Sequence, residues 1–216
     1  MLTQEISSPE TMEQAIREAG IIPFFHSGIT GYSIRDLTAP GYWFDDGEDT
    51  LGPWDWKIDC LMSGDIAYGK FLYGGKAAFA TVPFYRELMI LRRATTEPDK
   101  SGLQIMAQLE KQDSITIKEV RALLDVRKGQ ADAAMSKLMH QCRVVTGAIE
   151  RVYRGPEQTY SGWQVSYFCK PETLFDGIID LHTDHTPEES LEFLVDHISR
   201  LTDGTATRKQ ITKVLR

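Results

Sequence analysis

Residues 115–168 read ITIKEVRALLDVRKGQADAAMSKLMHQCRVVTGAIERVYRGPEQTYSGWQVSYF. The period of the apolar residues changes inside this stretch. Thr116 is a helix cap with Glu119 three residues on, the spacing of a capping box, and Val120, Leu123 and Leu124 then share one helical face. Asp125-Val126 ends that helix. Next, Ala131, Ala134, Met135, Leu138 and Met139 recur at helical spacing, with Arg127, Lys128, Gln130, Ser136 and Lys137 on the other side. From Val144 the pattern is that of strands: Val144, Ile149, Val152 and Tyr153, then Gly155-Pro156-Glu157 as turn chemistry, then Tyr160, Trp163, Val165, Tyr167 and Phe168 on a returning strand.

Upstream, PDKSGLQIMAQLEKQDSIT places Leu103, Ile105, Met106 and Leu109 on one face of a helix for which Ser101 is the expected cap. The order is then helix, helix, helix, β-hairpin, which predicts a winged helix-turn-helix. In such a module the third helix can enter the major groove while the wing meets phosphates or the minor groove. The expected DNA contacts are Arg121, Arg127, Lys128, Gln130, Lys137, Arg151 and Arg154. The same module also serves as a protein-interaction domain, and Asp132 with two exposed-looking alanines makes the third helix a poor base reader.

Charge is distributed unevenly. The 216-residue chain has a net charge of −7, yet residues 115–154 carry eight basic and four acidic side chains, while residues 1–60 carry three basic and eleven acidic. The overall balance argues against a general nucleic-acid binder. The local balance singles out the central segment.

Outside that segment the pattern is mixed. SPETMEQAIREAG has Ser8 as cap, Pro9 at the first helical position and Gly20 at the end. GPWDWKIDCLMSG at 52–64 reads as a turn and a short helix. IAYGKFLYGGKAAFAT at 66–81 reads as a hairpin around Gly74-Gly75, with Tyr68, Lys70 and Leu72 on one face and Gly69, Phe71 and Tyr73 on the other. PFYRELMILRR closes this half as a helix. The tail holds a second capping box, Thr186 with Glu189, and a short basic helix in TRKQITKVLR. The fold class is therefore α+β: an N-terminal mixed region over 1–95, the winged helix over 98–170 and a helical segment over 171–216.

Several function classes are disfavoured. No apolar run is long enough to span a membrane, and the first residues lack a secretory pattern. Three scattered cysteines, Cys60, Cys142 and Cys169, suit a reducing, cytoplasmic compartment rather than a disulfide framework. His182 and His185 form an HxxH pair without further close ligands, so no metal or other cofactor is expected. The aromatic N-terminal half offers a second kind of site, a pocket of Trp43, Trp54, Trp56, Lys57, Tyr68 and Lys70 with Asp45 or Asp55 as general base. Core packing is the competing reading of those aromatics. The chain is expected to be a monomer or a homodimer, with DNA as its candidate partner.

Particular strings carry a resemblance. Gly20-Ile21-Ile22-Pro23-Phe24-Phe25, Gly31-Tyr32-Ser33, Gly52-Pro53-Trp54-Asp55-Trp56-Lys57, Ser63-Gly64, Ala67-Tyr68-Gly69-Lys70-Phe71 and Lys76-Ala77-Ala78-Phe79 resemble the AlkZ-related proteins, a bacterial group linked to the alkylpurine DNA glycosylases. The resemblance covers most of the chain and implies a winged-helix fold and binding of damaged DNA. It does not carry over catalysis. The glycosylases are longer, with tandem winged helices, and activate water through a glutamine, an apolar residue and then glutamine or aspartate. Here Gln130-Ala131-Asp132 alone matches that pattern, on a helix that sends its two polar residues to different faces.

Overall fold

The computed structural model describes residues 5–43, 51–177 and 180–216. Helix α1 (Pro9–Ala19) leads into strand β1 (Ile21–Pro23), the short helix α2 (Ile34–Leu37) and helix α3 (Gly52–Leu61). The hairpin β2 (Ile66–Leu72) and β3 (Lys76–Thr81) precedes α4 (Val82–Arg93). The central unit is α5 (Lys100–Leu109), β4 (Ile115–Thr116), α6 (Ile117–Leu124), α7 (Lys128–His140), β5 (Val145–Arg154) and β6 (Thr159–Cys169). The chain finishes with α8 (Pro171–Leu174), α9 (Pro187–Leu201) and α10 (Arg208–Leu215).

Local chemistry explains most helix ends. Ser8 Oγ accepts from Thr11 N–H, and Thr11 Oγ1 accepts from Ser8 N–H at 2.9 Å. The Thr116/Glu119 and Thr186/Glu189 boxes are both closed as their spacing requires. The cap of α5 is Asp99 rather than Ser101: Asp99 Oδ1 accepts from Gly102 N–H at 2.9 Å. An aspartate is at least as good a cap as a serine, and starting earlier adds helix. Gly20 ends α1 at φ +66°, where a Cβ would sit 2.3 Å from the Phe84 ring. Glycine is needed there on both counts.

All strands join one antiparallel sheet in the order β1-β3-β2-β5-β6-β4. The sheet runs unbroken past residues 95–98, because β2 pairs with β5 through Tyr68 and Thr146. The sequence boundary between the first two regions is therefore no boundary in the sheet. Strand β4 falls between α5 and α6 and pairs with β6, Ile115 facing Phe168.

Three apolar clusters hold the layers. Ile105, Val120, Ala131, Met135, Leu138 and Phe168 bury the inner faces of α5–α7 against the edge of the sheet. Met12, Ile16, Phe24, Ile58 and Phe79 pack α1 and α3 on the N-terminal strands. Tyr85, Leu88, Leu194, Ile198 and Ile211 join α4, α9 and α10. Each fully buried Val, Leu, Ile, Phe or Met among them contributes about 1.5–3 kcal/mol by burial.

The expected two-face alternation along β2 fails after Gly69. The pairing register shifts between Gly69 and Leu72, so Phe71 and Leu72 are both buried in the same cluster, and Tyr73 falls in the turn. A bulge inserts a residue and resets the parity of a strand.

Candidate functional site

The arrangement begins with α3. Its first turn, Gly52-Pro53-Trp54, has no side-chain cap: Pro53 removes one of the N–H groups that would need a partner, and the Trp54 N–H donates to the Leu51 carbonyl at 3.1 Å. Trp54 and Lys57 are one turn apart and lie on the face that meets β6. Lys57 is 2% exposed. Its Nζ donates to the Trp54 carbonyl and, at 2.5 Å, to Gln164 Oε1, and it lies 3.8 Å from the centre of the Trp54 ring. Burial depresses the Lys57 amine to about 7; nearby Asp55 opposes that and Arg151 adds to it.

A polar chain fixes Gln164. Its Nε2 donates to Tyr160 Oη at 2.8 Å, and that hydroxyl donates to Asp55 Oδ1 at 2.7 Å. Arg151 clasps Asp55 with two bonds of 2.9 Å and reaches Asp59 at 3.3 Å. Burial alone would raise the Asp55 carboxyl, but the bonds from Arg151 and Tyr160 hold it below the usual aspartate range. Gly162 lets β6 cross α3 closely: it has φ +82°, a Cβ would lie 3.2 Å from Leu51, and its carbonyl accepts from Trp54 Nε1 at 3.3 Å.

These groups form one wall of a cavity of about 330 Å³. Tyr68, Gly69 and Lys70 of β2 line it from the sheet, and Asp132, Met135, Ser136 and Met139 of α7 form the facing wall. Lys70 Nζ donates to Ser136 Oγ at 3.3 Å. Trp163, 58% exposed, stands at the rim with the Arg154 guanidinium 4.9 Å from its ring centre. A groove opens from the same walls, sharing Trp54, Asp132, Gln164 and Phe168, and carries Lys118, Arg121 and Lys128. Among the described residues none of these three cations has an ion-pair partner. An apolar cavity with an aromatic wall thus opens into a cationic groove, an arrangement able to hold a planar ring attached to phosphates.

The structure sorts the residues expected from the sequence. Trp54, Lys57, Tyr68 and Lys70 come together as a cavity wall. Trp43 does not: it is 4% exposed, packed on Phe24 and Phe25 in the core. Trp56 lies against the Tyr42 ring and packs, half-buried, on the N-terminal core cluster; it does not line the cavity. Asp45 falls outside the described residues, and Asp55 is held by Arg151 and Tyr160 rather than free to act as a base.

Among the expected DNA contacts, Arg121 and Lys128 line the groove. Arg127 and Gln130 are exposed at the start of α7, where Gln130 Oε1 accepts from Arg127 N–H at 3.2 Å. Lys137 is on the opposite side, bonded to Asp99 at 2.9 Å. Arg151 points into the protein and is spent on Asp55 and Asp59, whereas Arg154 stays at the rim. Gln130 and Asp132 do not converge: the first caps its helix and the second faces the cavity.

Sequence reading missed Lys118, Gln164, Met135 and Met139 as site residues. Lys118 had a signal in its i, i+3 spacing to Arg121. Gln164 had one in strand parity, since Tyr160, Gly162, Gln164 and Ser166 fall on one face of β6. The two methionines read as ordinary core.

The three cysteines are free and buried, and burial pushes each thiol up to about 12. They are not nucleophiles in this state. His185 Nδ1 lies 3.0 Å from the buried Glu87, while His182 is 3.3 Å from Asp184. No group of metal-ligating side chains occurs among the described residues, and no helix there is long and apolar enough to cross a membrane. No curated protein and no solved structure matches the chain. The family model described as AlkZ related matches residues 6–216, and the chain belongs to that family.

Proposed function

We propose that this member of the AlkZ-related family is a winged-helix DNA-binding protein that receives an unstacked nucleotide in the cavity beside Trp54. The observation that carries this reading is the continuity of the cationic groove of Lys118, Arg121 and Lys128 with the aromatic cavity. Phosphate contacts supply affinity and position, and stacking on an aromatic ring holds a base without regard to sequence. The order α5-β4-α6-α7-β5-β6, with β4 on the outer side of β6, supports the winged-helix assignment. The hairpin β5–β6 is then the wing, with Trp163 and Arg154 on it.

Binding does not require the glycosylase glutamine motif. Its one sequence match here is split between a helix cap and the cavity wall, which favours a relative that binds damaged DNA without using that motif to activate water.

The test is fluorescence anisotropy with labelled duplexes, undamaged and carrying an alkylated purine, at two or more salt concentrations. Three phosphate contacts give a slope of log affinity on log salt of about −2.7. The Arg121→Glu/Lys128→Glu variant should lose most of the affinity. Failure of every duplex to bind at low salt would refute the proposal and leave a protein-binding role for the same module.

A further inference from the structure

A lysine removed from water normally takes a carboxylate with it. Lys57 does not. Its Nζ bonds are to two uncharged oxygens, the Trp54 carbonyl and Gln164 Oε1. The two acids nearest in sequence, Asp55 and Asp59, both face Arg151, and Asp55 also accepts from the Tyr160 hydroxyl. The Trp54 ring covers the amine from one side, and Arg151 adds positive charge nearby. Desolvation and a neighbouring cation are the two ways a protein turns a lysine into a neutral nucleophile at ordinary pH. This amine lines a cavity, and the cavity is reached through a groove of three cations that have no ion-pair partner among the described residues.

We infer that Lys57 is a nucleophilic amine that condenses with the aldehyde of a ring-opened abasic deoxyribose. The inference rests on the DNA-binding reading above. An abasic nucleotide brings phosphates on both sides for Lys118, Arg121 and Lys128, and has no base to fill the space before Trp54. In the reaction the Nζ lone pair adds to the C1′ carbonyl carbon, forming the C–N bond and breaking the C=O π bond. The amine's two protons go to the carbonyl oxygen, which leaves as water. The product is an imine joining Lys57 to the sugar, with no change of oxidation state. Gln164 is the positioning residue: it accepts from the amine through Oε1 and is itself held by Tyr160. Lys70 is the other lysine on the cavity wall, but it is exposed and bonded to Ser136, so it is not removed from water as Lys57 is.

The test uses the full chain, a labelled duplex with one abasic site, and borohydride, which delivers hydride to an imine carbon and leaves a stable secondary amine. A matched duplex carries a tetrahydrofuran residue, which has no aldehyde. Anisotropy on the same samples reads binding separately from chemistry. The expected result is a covalent adduct with the abasic duplex, none with the tetrahydrofuran duplex, and a tryptic peptide that places the adduct on Lys57. Lys57→Arg, which keeps a cation but cannot form the imine, should abolish trapping. The peptide mapping needs only the unaltered protein and so does not depend on how the variant folds. A duplex that binds but is not trapped, or an adduct on another lysine, overturns the inference and leaves the DNA-binding reading standing. A duplex that does not bind at low salt removes both.

Discussion

Arg151 and Asp55 face each other across two parallel hydrogen bonds of 2.9 Å, Nε to Oδ1 and Nη2 to Oδ2. The pair joins β5 to α3 and so ties the central unit to the N-terminal region. A cation that the sequence assigns to phosphate is instead a structural clamp that holds one wall of the cavity.

Replacing Arg151 with Met should therefore lower stability, by about 1–3 kcal/mol, through loss of charged hydrogen bonds in a partly buried place. The pH dependence follows from the lowered Asp55 carboxyl. A carboxylate with a depressed folded-state pKa stabilises fully above its unfolded value, about 3.9, and that stability is lost as pH falls through the lower folded value. Urea midpoints measured from neutral pH down to about pH 2 should show wild type and Arg151→Met converging only at the acid end. A constant gap across that range would contradict the clamp.

Lys57 gives a trend of the same sign in a higher pH window. Its folded-state amine is depressed to about 7, so the unfolded chain binds more protons between there and the ordinary lysine value of about 10.4. Stability contributed by this site rises with pH over that window, by at most about 1.4 kcal/mol per unit. The charged groups around it are Asp55 on its own helix and Arg151 on β5; Tyr160 and Gln164 face it from β6. Lys57→Met should be most favourable relative to wild type below pH 7 and lose that advantage as pH rises. The buried cysteines titrate in both proteins and drop out of the difference.

Arg92 should be among the most sensitive positions outside the site. It is 8% exposed and donates to the carbonyls of Leu215 and Arg216, the latter at 2.7 Å, closing the end of α10. Arg92→Met leaves those acceptors without a donor and should destabilise by about 2–4 kcal/mol. Hydrogen exchange should locate the loss in α10 before the central unit responds.

Gly20→Ala should be costly for two separable reasons. A positive φ disfavours a side chain by about 1–2 kcal/mol, and the new methyl would collide with the Phe84 ring. In a double-mutant cycle, Phe84→Ala should recover the steric part and not the backbone part. Full additivity of the two losses would place the cost in the backbone alone.

Lys118→Ala should reduce the salt slope of DNA binding by about 1, as expected for one phosphate contact. Arg151→Met, whose guanidinium points inward, should leave that slope unchanged even where it lowers stability. The contrast separates groove from clamp by a readout that general destabilisation does not mimic.

What the sequence by itself determined is local. Caps at Ser8, Thr116 and Thr186, the glycine pair at 74–75 and the change of period near Val144 specify most elements, because each depends on bonds within one turn or one hairpin. Most of the cavity's aromatic and cationic wall was legible too: Trp54 and Lys57 are one turn apart, and Tyr68 and Lys70 share one face of a strand. Only the tertiary structure decided which cations stay free. Arg151 and Lys118 look alike along the chain; a carboxylate 96 residues away claims the first, and no carboxylate among the described residues claims the second. It also decided that Trp43 packs into the core while Trp54 borders a cavity, and that a methionine face of α7 closes that cavity. A charge or a ring acquires its role from what the fold brings opposite it, and those partners come from strands and helices that pattern and propensity treat separately.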